Sequence, residues 1–253
     1  MAGKAPKNNG NNFEEDVTGV ANEWYGGNGK DTLIGGGGND SLHGGNGKDM
    51  LYGGDDNDLL DGGNGDDMLD GGNGDDQIIG GNGEDYIDGG HGADVIDGGN
   101  GVDTYFVDYT DASLNDALDS TVTTTDTAAA GFDVVTVSEG DIFDFGARPG
   151  AGYAPDPMVI TEDSLILSDI DVTGYTGSEL LNALTGIFQA NDDDDIIDNR
   201  EAMLIEFQAG QKFLLVDGGY DVTTKEDIII QVVGTVDTLT LGADGHSVIL
   251  TTA

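Results

Sequence analysis

The sequence predicts a mainly all-β protein, in which a parallel β-solenoid of short repeats is followed by a β-rich carboxy-terminal domain with one helix. The first observation is that residues 26–106 divide into nine consecutive nonapeptides without insertion or deletion. The second is that each nonapeptide joins a Gly-rich turn to a short strand with one inward-facing aliphatic residue. The third is that hydrophobic residues make up 37% of the chain and Cys is absent. Something besides apolar burial and disulfides must therefore stabilise the fold.

The nine copies follow the template G-G-x-G-x-D-x-U-x, where U is a large apolar residue. The sixth position is Asp in every copy, at Asp31, Asp40, Asp49, Asp58, Asp67, Asp76, Asp85, Asp94 and Asp103. The eighth position holds Leu33, Leu42, Leu51, Leu60, Leu69, Ile78, Ile87, Ile96 and Tyr105. The first two positions are Gly in all nine copies, and the fourth departs from Gly only at Asp56.

This period places the acidic residues in columns. One nonapeptide supplies half of a flattened coil and two supply a full coil, so copies two apart stack on the same side. Their Asp carboxylates then converge with loop carbonyls into the all-oxygen shell that Ca²⁺ prefers. Nine copies give 9 − 2 = 7 such gaps, and seven divalent ions would reduce the formal charge from −42 to −28.

The array resembles the hemolysin-type RTX family of calcium-binding nonapeptide repeats, which fold as a parallel β-roll and bind Ca²⁺ between coils. In that family the earlier loop gives carbonyls from positions two and four, and the later loop gives them from positions one and three. The gap between the third and fifth copies would then use Gly45, Gly47 and Asp49 with Gly62, Asn64 and Asp67. The resemblance implies about seven bound calcium ions.

Over all copies the resemblance implies ligands from the turns and from the sixth positions. These residues are Gly27, Gly29, Asp31, Gly36, Gly38, Asp40, Gly44, Gly45, Asn46, Gly47, Asp49, Gly53, Gly54, Asp55, Asp56, Asp58, Gly62, Gly63, Asn64, Gly65, Asp67, Gly71, Gly72, Asn73, Gly74, Asp76, Gly80, Gly81, Asn82, Gly83, Asp85, Gly89, His91, Asp94, Gly98, Asn100 and Asp103. Asp56 still offers its carbonyl, but its side chain is expected to add repulsion and to restrict φ. Asp side chains outside the sixth position, at Asp61, Asp70, Asp88 and Asp97, are expected to be solvated.

The ends of the array are expected to be closed by aromatic residues. Residues 17–25 read as a degenerate copy, with Asn22 at the Asp position and Trp24 as a cap over the open end of the sheet. Asn22 could complete an eighth calcium site with Asp40, and the sequence leaves open whether this site forms. Tyr105, Phe106 and Val107 are expected to close the other end. The predicted division is a flexible tail at 1–16, the calcium-binding roll at 17–106 and a capping or assembly domain at 107–253.

Alternate copies carry Asn at the third position, namely Asn28, Asn46, Asn64, Asn82 and Asn100. Such a ladder is similar to those of some ice-binding adhesins, but Asn is also a common turn residue, which is the favoured explanation. The three His residues are scattered at His43, His91 and His246 and are expected to lie on the surface without forming a metal triad.

The second half predicts a linker at 119–130 and strands at 134–137, 142–145, 164–167, 228–233, 239–241 and 248–250. A helix is predicted for 178–189, with Ser178 as N-cap, and a hairpin for 202–207 with 212–217. The acidic cluster 191–201 lacks EF-hand spacing and is expected to be a solvated loop rather than a second calcium site.

Composition and motifs exclude several classes of function. The excess of 50 acidic over 8 basic residues excludes nucleic-acid binding, and no apolar run is long enough to span a membrane. No H-E-x-x-H or G-x-S-x-G motif is present, so a non-enzymatic protein is expected over an enzyme of unrecognised type. No amino-terminal signal peptide is expected, and the tail resembles type I secretion signals.

Two functions remain open at this point. Residues 178–230 also resemble the carboxy-terminal regions of RTX S-layer and surface proteins. The resemblance favours a secreted, structural protein of the bacterial cell surface or matrix that self-assembles and uses the type I secretion apparatus. The alternative is a soluble monomeric calcium-binding exoprotein or adhesin that recognises a partner surface.

Overall fold

The computed structural model describes residues 10–16, 19–106, 134–144, 158–160, 165–167, 200–207, 212–216, 228–236, 238–243 and 247–251. Across these ranges the protein is mainly β, which confirms the predicted class, and residues 23–106 form a parallel β-solenoid of about five coils. The helix predicted for 178–189, the linker 119–130, Val107 and the acidic residues 191–199 lie outside the described residues.

Each coil of the solenoid contributes one strand to each of two sheets. The strands are β1 (Phe13–Glu15), β2 (Glu23–Asn28), β3 (Thr32–Gly37), β4 (Ser41–Asn46), β5 (Met50–Asp55), β6 (Leu59–Asn64), β7 (Met68–Asn73), β8 (Gln77–Asn82), β9 (Tyr86–His91), β10 (Val95–Asn100) and β11 (Thr104–Phe106). The odd-numbered strands pair in parallel in the first sheet and the even-numbered ones in the second. Between β3 and β10 the register within a sheet is 18 residues, as in Leu33↔Leu51 and Leu42↔Leu60.

The core of the solenoid is a double row of eighth-position side chains. Leu33, Leu42, Leu51, Leu60, Leu69 and Ile78 are each 0% exposed, and their strand neighbours on both sides point outward. This alternation is the period-two pattern of a strand with one buried face. Because each nonapeptide buries a single large side chain, at ~1.5–3 kcal/mol apiece, the apolar contribution to stability is small for the length of the array.

The turns depend on glycine for two different reasons. Positions two and four have positive φ, for example 107° at Gly45 and 143° at Gly47, a region that residues with a Cβ rarely adopt. The one exception among the described residues is Asp56, with φ of 75°, and Asp is among the residues that tolerate this region best. Position one does not have positive φ, so its Gly must be explained by lack of space.

The carboxy-terminal strands extend both sheets. They are β12 (Val134–Thr136), β13 (Ile142–Asp144), β14 (Met158–Ile160), β15 (Leu165–Leu167), β16 (Arg200–Phe207), β17 (Lys212–Val216), β18 (Ile228–Val233), β19 (Thr238–Leu241) and β20 (Ser247–Thr251). The first sheet has the order β1-β3-β5-β7-β9-β11-β13-β20-β19. The second has the order β14-β16-β17-β18-β12-β10-β8-β6-β4-β2, with β15 also paired to β16.

The predicted hairpin is confirmed, because β16 and β17 pair antiparallel. The other strands predicted in this half are also present, whereas β14 was not predicted. Residues 13–15, which fall in the predicted flexible tail 1–16, form β1 and pair in parallel with β3. Trp24 and Tyr105 are buried at opposite ends of the solenoid core, as expected. None of the described residues forms a helix long and apolar enough to cross a membrane.

The inward and outward alternation can be tested with two adjacent leucines. Leu60 is 0% exposed in the core, and Leu59 lies partly exposed on the outer face of the same strand. Leu60→Ala is expected to lower the free energy of unfolding in calcium by ~2–5 kcal/mol, as buried Leu→Ala changes do. Leu59→Ala is the matched control, and denaturant unfolding followed by circular dichroism is the measurement. Equal losses for the two variants would contradict the described core.

Candidate metal sites

The sixth-position aspartates form two buried columns, one along each side of the solenoid. Within a column, the main-chain N–H of each sixth-position Asp from Asp31 to Asp85 donates to Oδ1 of the Asp one coil later. The N···Oδ1 distance is 2.8 Å from Asp31 to Asp49 and 2.7 Å from Asp49 to Asp67. The bond recurs along both columns at 2.7–3.0 Å. These bonds fix every carboxylate in the same orientation.

The second oxygen of each of these carboxylates is buried without a donor. Oδ2 has no hydrogen-bond partner in any of the nine sixth-position residues, at Asp31, Asp40, Asp49, Asp58, Asp67, Asp76, Asp85, Asp94 and Asp103. Leaving a buried polar atom unpaired costs ~1–3 kcal/mol, and more for a charged group. Nine such atoms in one small array call for a positively charged partner.

The position-one glycines show what these oxygens face. A Cβ built on Gly44 would lie 2.6 Å from Asp49 Oδ2 and 2.7 Å from the carbonyl oxygen of Gly62, which begins the turn one coil later. A carboxylate oxygen and a carbonyl oxygen, both acceptors, thus converge beside Gly44. The same pair of groups meets beside seven glycines, at Gly26, Gly35, Gly44, Gly53, Gly62, Gly71 and Gly80.

Further carbonyls point into these gaps. The Gly27 oxygen is directed at the place where a Cβ of Gly45 would lie, and the Gly29 oxygen at that of Gly47. Positions two and four of the earlier loop therefore aim their carbonyls at the later loop. The position-three carbonyl of the later loop also lies between coils, where Asn64 O accepts the N–H of Gly47 at 2.7 Å.

The electrostatics of the columns are unfavourable without a cation. Burial, with a smaller contribution from neighbouring carboxylates, raises the pKa of Asp49 to about 6 and of Asp58 to about 7. Burial likewise raises the pKa of Asp76 to about 7 and of Asp94 to about 8. The N–H donated to each Oδ1 lowers these pKa values but is outweighed. The buried oxygens thus favour a positive charge, either a proton or a metal ion.

Oxygen donors without nitrogen or sulfur suit a hard divalent cation such as Ca²⁺. Across the described ranges, no three Asp, Glu or His side chains converge as a metal-binding group, so a site here must combine carboxylates with main-chain carbonyls. The nine unpaired Oδ2 atoms and the small space beside each position-one Gly fit such an ion.

Comparison with known proteins agrees with this chemistry. The family model of the RTX calcium-binding nonapeptide repeat (4 copies) matches residues 25–60, 43–78 and 70–105. Residues 25–105 are RTX calcium-binding repeats. Searches of curated proteins and of solved structures gave no match.

The one irregular RTX copy keeps its geometry. Asp56 adopts the positive φ of the fourth position, and its Oδ2 accepts the N–H of Gly38 at 3.1 Å. In other copies the position-four N–H donates to the position-three carbonyl one coil later, as the Gly29 N–H does to Asn46 O. A side-chain acceptor has therefore replaced a main-chain one.

Among the Asp residues expected to be solvated, Asp88 is the exception, because it is 6% exposed beside the stacked rings of Tyr86 and Phe106.

A residue beyond the repeats continues one Asp column. Asp141 is buried, and its Oδ1 accepts the N–H of Asp103 at 3.1 Å, as the next RTX Asp would. Beside Gly98, the Tyr105 hydroxyl and Asp103 Oδ2 converge. In the seven gaps, a main-chain carbonyl oxygen takes the place of this hydroxyl. The hydroxyl is 2.9 Å from Thr136 O and 3.2 Å from Asp141 Oδ2. The signal for Asp141 in the sequence is the D-x-U-x pattern of residues 141–144.

The other polar groups of the array line its surface. Asn46 Nδ2 donates to Asn28 Oδ1 at 2.8 Å, and the exposed ladder continues in the same way up to Asn100. His43 lies on the outer face of the second sheet, 3.3 Å from Ser41 Oγ and 3.4 Å from Asp61 Oδ2. The Ser41 N–H donates to Asn22 O at 2.9 Å.

The space beside position one can be tested with a pair of Gly→Ala variants. Gly44→Ala places a methyl group between Asp49 Oδ2 and Gly62 O, and Gly37→Ala places one where the nearest atom is 3.5 Å away. Neither Gly has positive φ. Gly44→Ala is expected to cost ~1–3 kcal/mol in calcium, as overpacking does, and to weaken calcium binding by isothermal titration calorimetry. Gly37→Ala is expected to be neutral or slightly stabilising, and an equal loss in both variants would refute the site.

The raised pKa values predict how pH affects the calcium-free array. The carboxyls of Asp49, Asp58, Asp76 and Asp94 take up protons at about pH 6 to 8 when the array is folded and near pH ~4 when it is unfolded. Their contribution to stability is therefore present below pH ~4 and is lost as pH rises through 6 to 8. In calcium-free buffer, strand content by circular dichroism is expected to be higher at pH 5 than at pH 8. In calcium the order should reverse, because protons compete with the metal. A calcium-free array more stable at pH 8 would contradict the described burial.

Proposed function

We propose that this protein is a secreted, non-enzymatic calcium-binding protein that folds when it meets calcium outside the cell and then acts as a self-assembling, S-layer-like component of the cell surface or matrix. The observation that carries the proposal is the set of nine buried, unpaired Oδ2 atoms in a chain of net charge −42. Those atoms make the compact state depend on a cation that is scarce inside cells and plentiful outside.

The proposed ligands are those implied by the RTX family, with one ion in each of the seven gaps. Bound calcium would supply positive charge and coordination to oxygens that otherwise repel one another. The chain supplies the rest: N–H groups that orient each carboxylate through Oδ1, and glycines that leave room beside Oδ2. Because the gaps exist only when the coils are stacked, binding free energy becomes folding free energy.

Secretion fits this arrangement. A chain with 44 Gly and net charge −42 gains little from collapse without calcium, so it can stay unfolded until it is exported. RTX repeats are typical of proteins exported by type I systems, and the proposal places this protein outside the cell on that ground. Folding at the destination would then be triggered by the calcium concentration there.

The outer face of the first sheet supports a role in assembly. Met50 and Met68 are each 40% exposed, and the Tyr52 hydroxyl lies 3.9 Å and 3.8 Å from their sulfur atoms. These three side chains form an apolar strip, defined here as the Met strip, on a protein of net charge −42. Exposed apolar patches on acidic surfaces are typical of interaction sites.

The alternative is a soluble monomeric exoprotein or adhesin. The exposed Asn ladder favours it, because its amides present a regular row of hydrogen-bonding groups without charge. The two proposals make opposite predictions about the species that forms in calcium.

Size-exclusion chromatography with light scattering tests both proposals on one sample, in chelator and in millimolar calcium. The expected result is an expanded monomer in chelator and a compact, larger species in calcium. A compact particle of 26.1 kDa in calcium would favour the soluble alternative. An unchanged hydrodynamic radius would refute calcium-coupled folding.

A charge variant locates the assembly surface. Met50→Glu with Met68→Glu is expected to leave calcium-induced folding intact and to abolish the larger species, because it places two charges in the Met strip. Gln77→Glu with Val95→Glu is the matched control, because it adds charges at the same repeat position on the exposed face of the second sheet. If both double variants still assemble, the Met strip is not the interface.

A further inference from the structure

Each Asp column begins, at its amino-terminal end, with an asparagine instead of an aspartate. Asn12 N–H donates to Asp31 Oδ1 at 2.6 Å, as Asp31 N–H donates to Asp49 Oδ1 at 2.8 Å. Asn12 O accepts the N–H of Thr32 at 2.9 Å, as Asp31 O accepts that of Met50. The strand β1 follows Asn12 directly and pairs with β3. Asn12 therefore holds the place of a sixth-position Asp, in a segment that does not match the nonapeptide template.

The side chain of Asn12 behaves differently from those aspartates. Its amide nitrogen, Nδ2, carries two hydrogens and lies within hydrogen-bond distance of three acceptors, Gly26 O at 2.9 Å, Asp31 Oδ1 at 2.8 Å and Gly10 O at 2.9 Å. Gly26 O is the position-one carbonyl of the later loop, the group that faces the unpaired Oδ2 of an Asp in the seven gaps. Gly10 takes position four of the earlier loop, because its N–H bonds to Asn28 O as that of Gly29 bonds to Asn46 O.

The amide hydrogens thus meet the same oxygens that a cation would meet in the gaps between repeats. Where an Asp leaves two acceptors facing each other, Asn12 puts N–H groups between them. The acceptors around Asn12 are thus satisfied by a neutral donor, and the gap lacks the second carboxylate that a repeat Asp would supply to a metal ion.

The second column begins in the same way. Asn22 N–H donates to Asp40 Oδ1 at 2.6 Å, and Asn22 O accepts the N–H of Ser41 at 2.9 Å. Its Nδ2 lies 3.2 Å from Asp40 Oδ1 and 2.9 Å from Asp16 Oδ2, and it also donates to Val20 O. Val20 is position four of the degenerate copy. Both columns therefore start with an amide that contacts a position-four carbonyl and the Asp of the next coil.

We propose that Asn12 and Asn22 terminate the calcium array, each by placing an amide NH₂ group in the gap where a repeat Asp requires an ion. The inference rests on the proposed calcium sites and fixes where they stop. It decides the open question of an eighth site at Asn22 against calcium, because the amide presents its hydrogens to the surrounding oxygens. The same chemistry predicts that a single Asn→Asp change in either gap creates a new calcium site.

The test is the number of calcium ions bound by the full chain, measured by equilibrium dialysis with metal analysis. Asn12→Asp is expected to bind one ion more than the unaltered protein, and Asn12→Asp with Asn22→Asp two more. In calcium-free buffer Asn12→Asp is expected to be less stable than the unaltered chain, and calcium should restore its stability. The matched control is Asn39→Asp, which adds the same charge at an exposed position next to Asp40 but puts no oxygen into a gap.

The outcomes separate this inference from the proposed function. If the unaltered chain binds no calcium, the proposed calcium function fails, whatever the variants do. If it binds calcium and Asn12→Asp binds the same number as Asn39→Asp, the terminating role is wrong. If the variants do not fold in calcium, the hydrogen exchange of the Asn12 side-chain NH₂ group is measured in the unaltered protein instead. Slow hydrogen exchange in calcium supports the terminating role, and rapid exchange overturns it.

Discussion

The contact on which this fold depends is one between two acceptors. In each of seven gaps a carboxylate Oδ2 meets a main-chain carbonyl oxygen, with no hydrogen between them. Close stacking of the coils is therefore unfavourable by itself and becomes favourable when positive charge enters the gap. The absence of a Cβ at position one, the positive φ of positions two and four, and the N–H groups on Oδ1 all serve to bring those oxygens to one point. Each nonapeptide supplies this set once per half coil.

The hydrophobic core plays a secondary part in the same design. One buried Leu or Ile per nonapeptide holds the two sheets together and aligns the coils, but it cannot offset the repulsion of two acidic columns and the entropy of the glycines. Stability is thus divided between a thin apolar core, which is always available, and an ionic part, which depends on the surroundings. The carboxy-terminal strands add to the apolar part, because Val135, Phe143 and Leu250 join the same buried cluster as the solenoid leucines. The described strands beyond the repeats therefore continue the buried core at the end where Tyr105 lies.

Much of this could be predicted from the sequence, because the solenoid is local and periodic. The strands, the inward leucines and the stacking of Asp67 over Asp49 follow from the 18-residue coil alone. The position of Asp141 could not be predicted in this way, because 38 residues separate it from Asp103 and no repeat spans that distance. Asn12 was missed for a similar reason, since of the three template glycines its segment has only the one at position four, Gly10, and the pairing of β1 shows its place in the column. The burial of Asp88 was not predicted, because a pattern along the chain does not show which residues of the next coil lie beside it, as Phe106 does.

The alternation of strands between two sheets has a consequence for how such proteins change length. The strands β12 and β13 dock on β10 and β11, one in each sheet, so the carboxy-terminal domain is attached to a specific half coil. Inserting two nonapeptides would move this domain along the solenoid axis by about 4.8 Å and leave its orientation unchanged. Inserting one would also turn the domain by half a revolution relative to the amino terminus. Gaining or losing repeats in pairs thus changes only the axial distance between the two ends of the array. Gaining or losing a single repeat also changes their relative rotation.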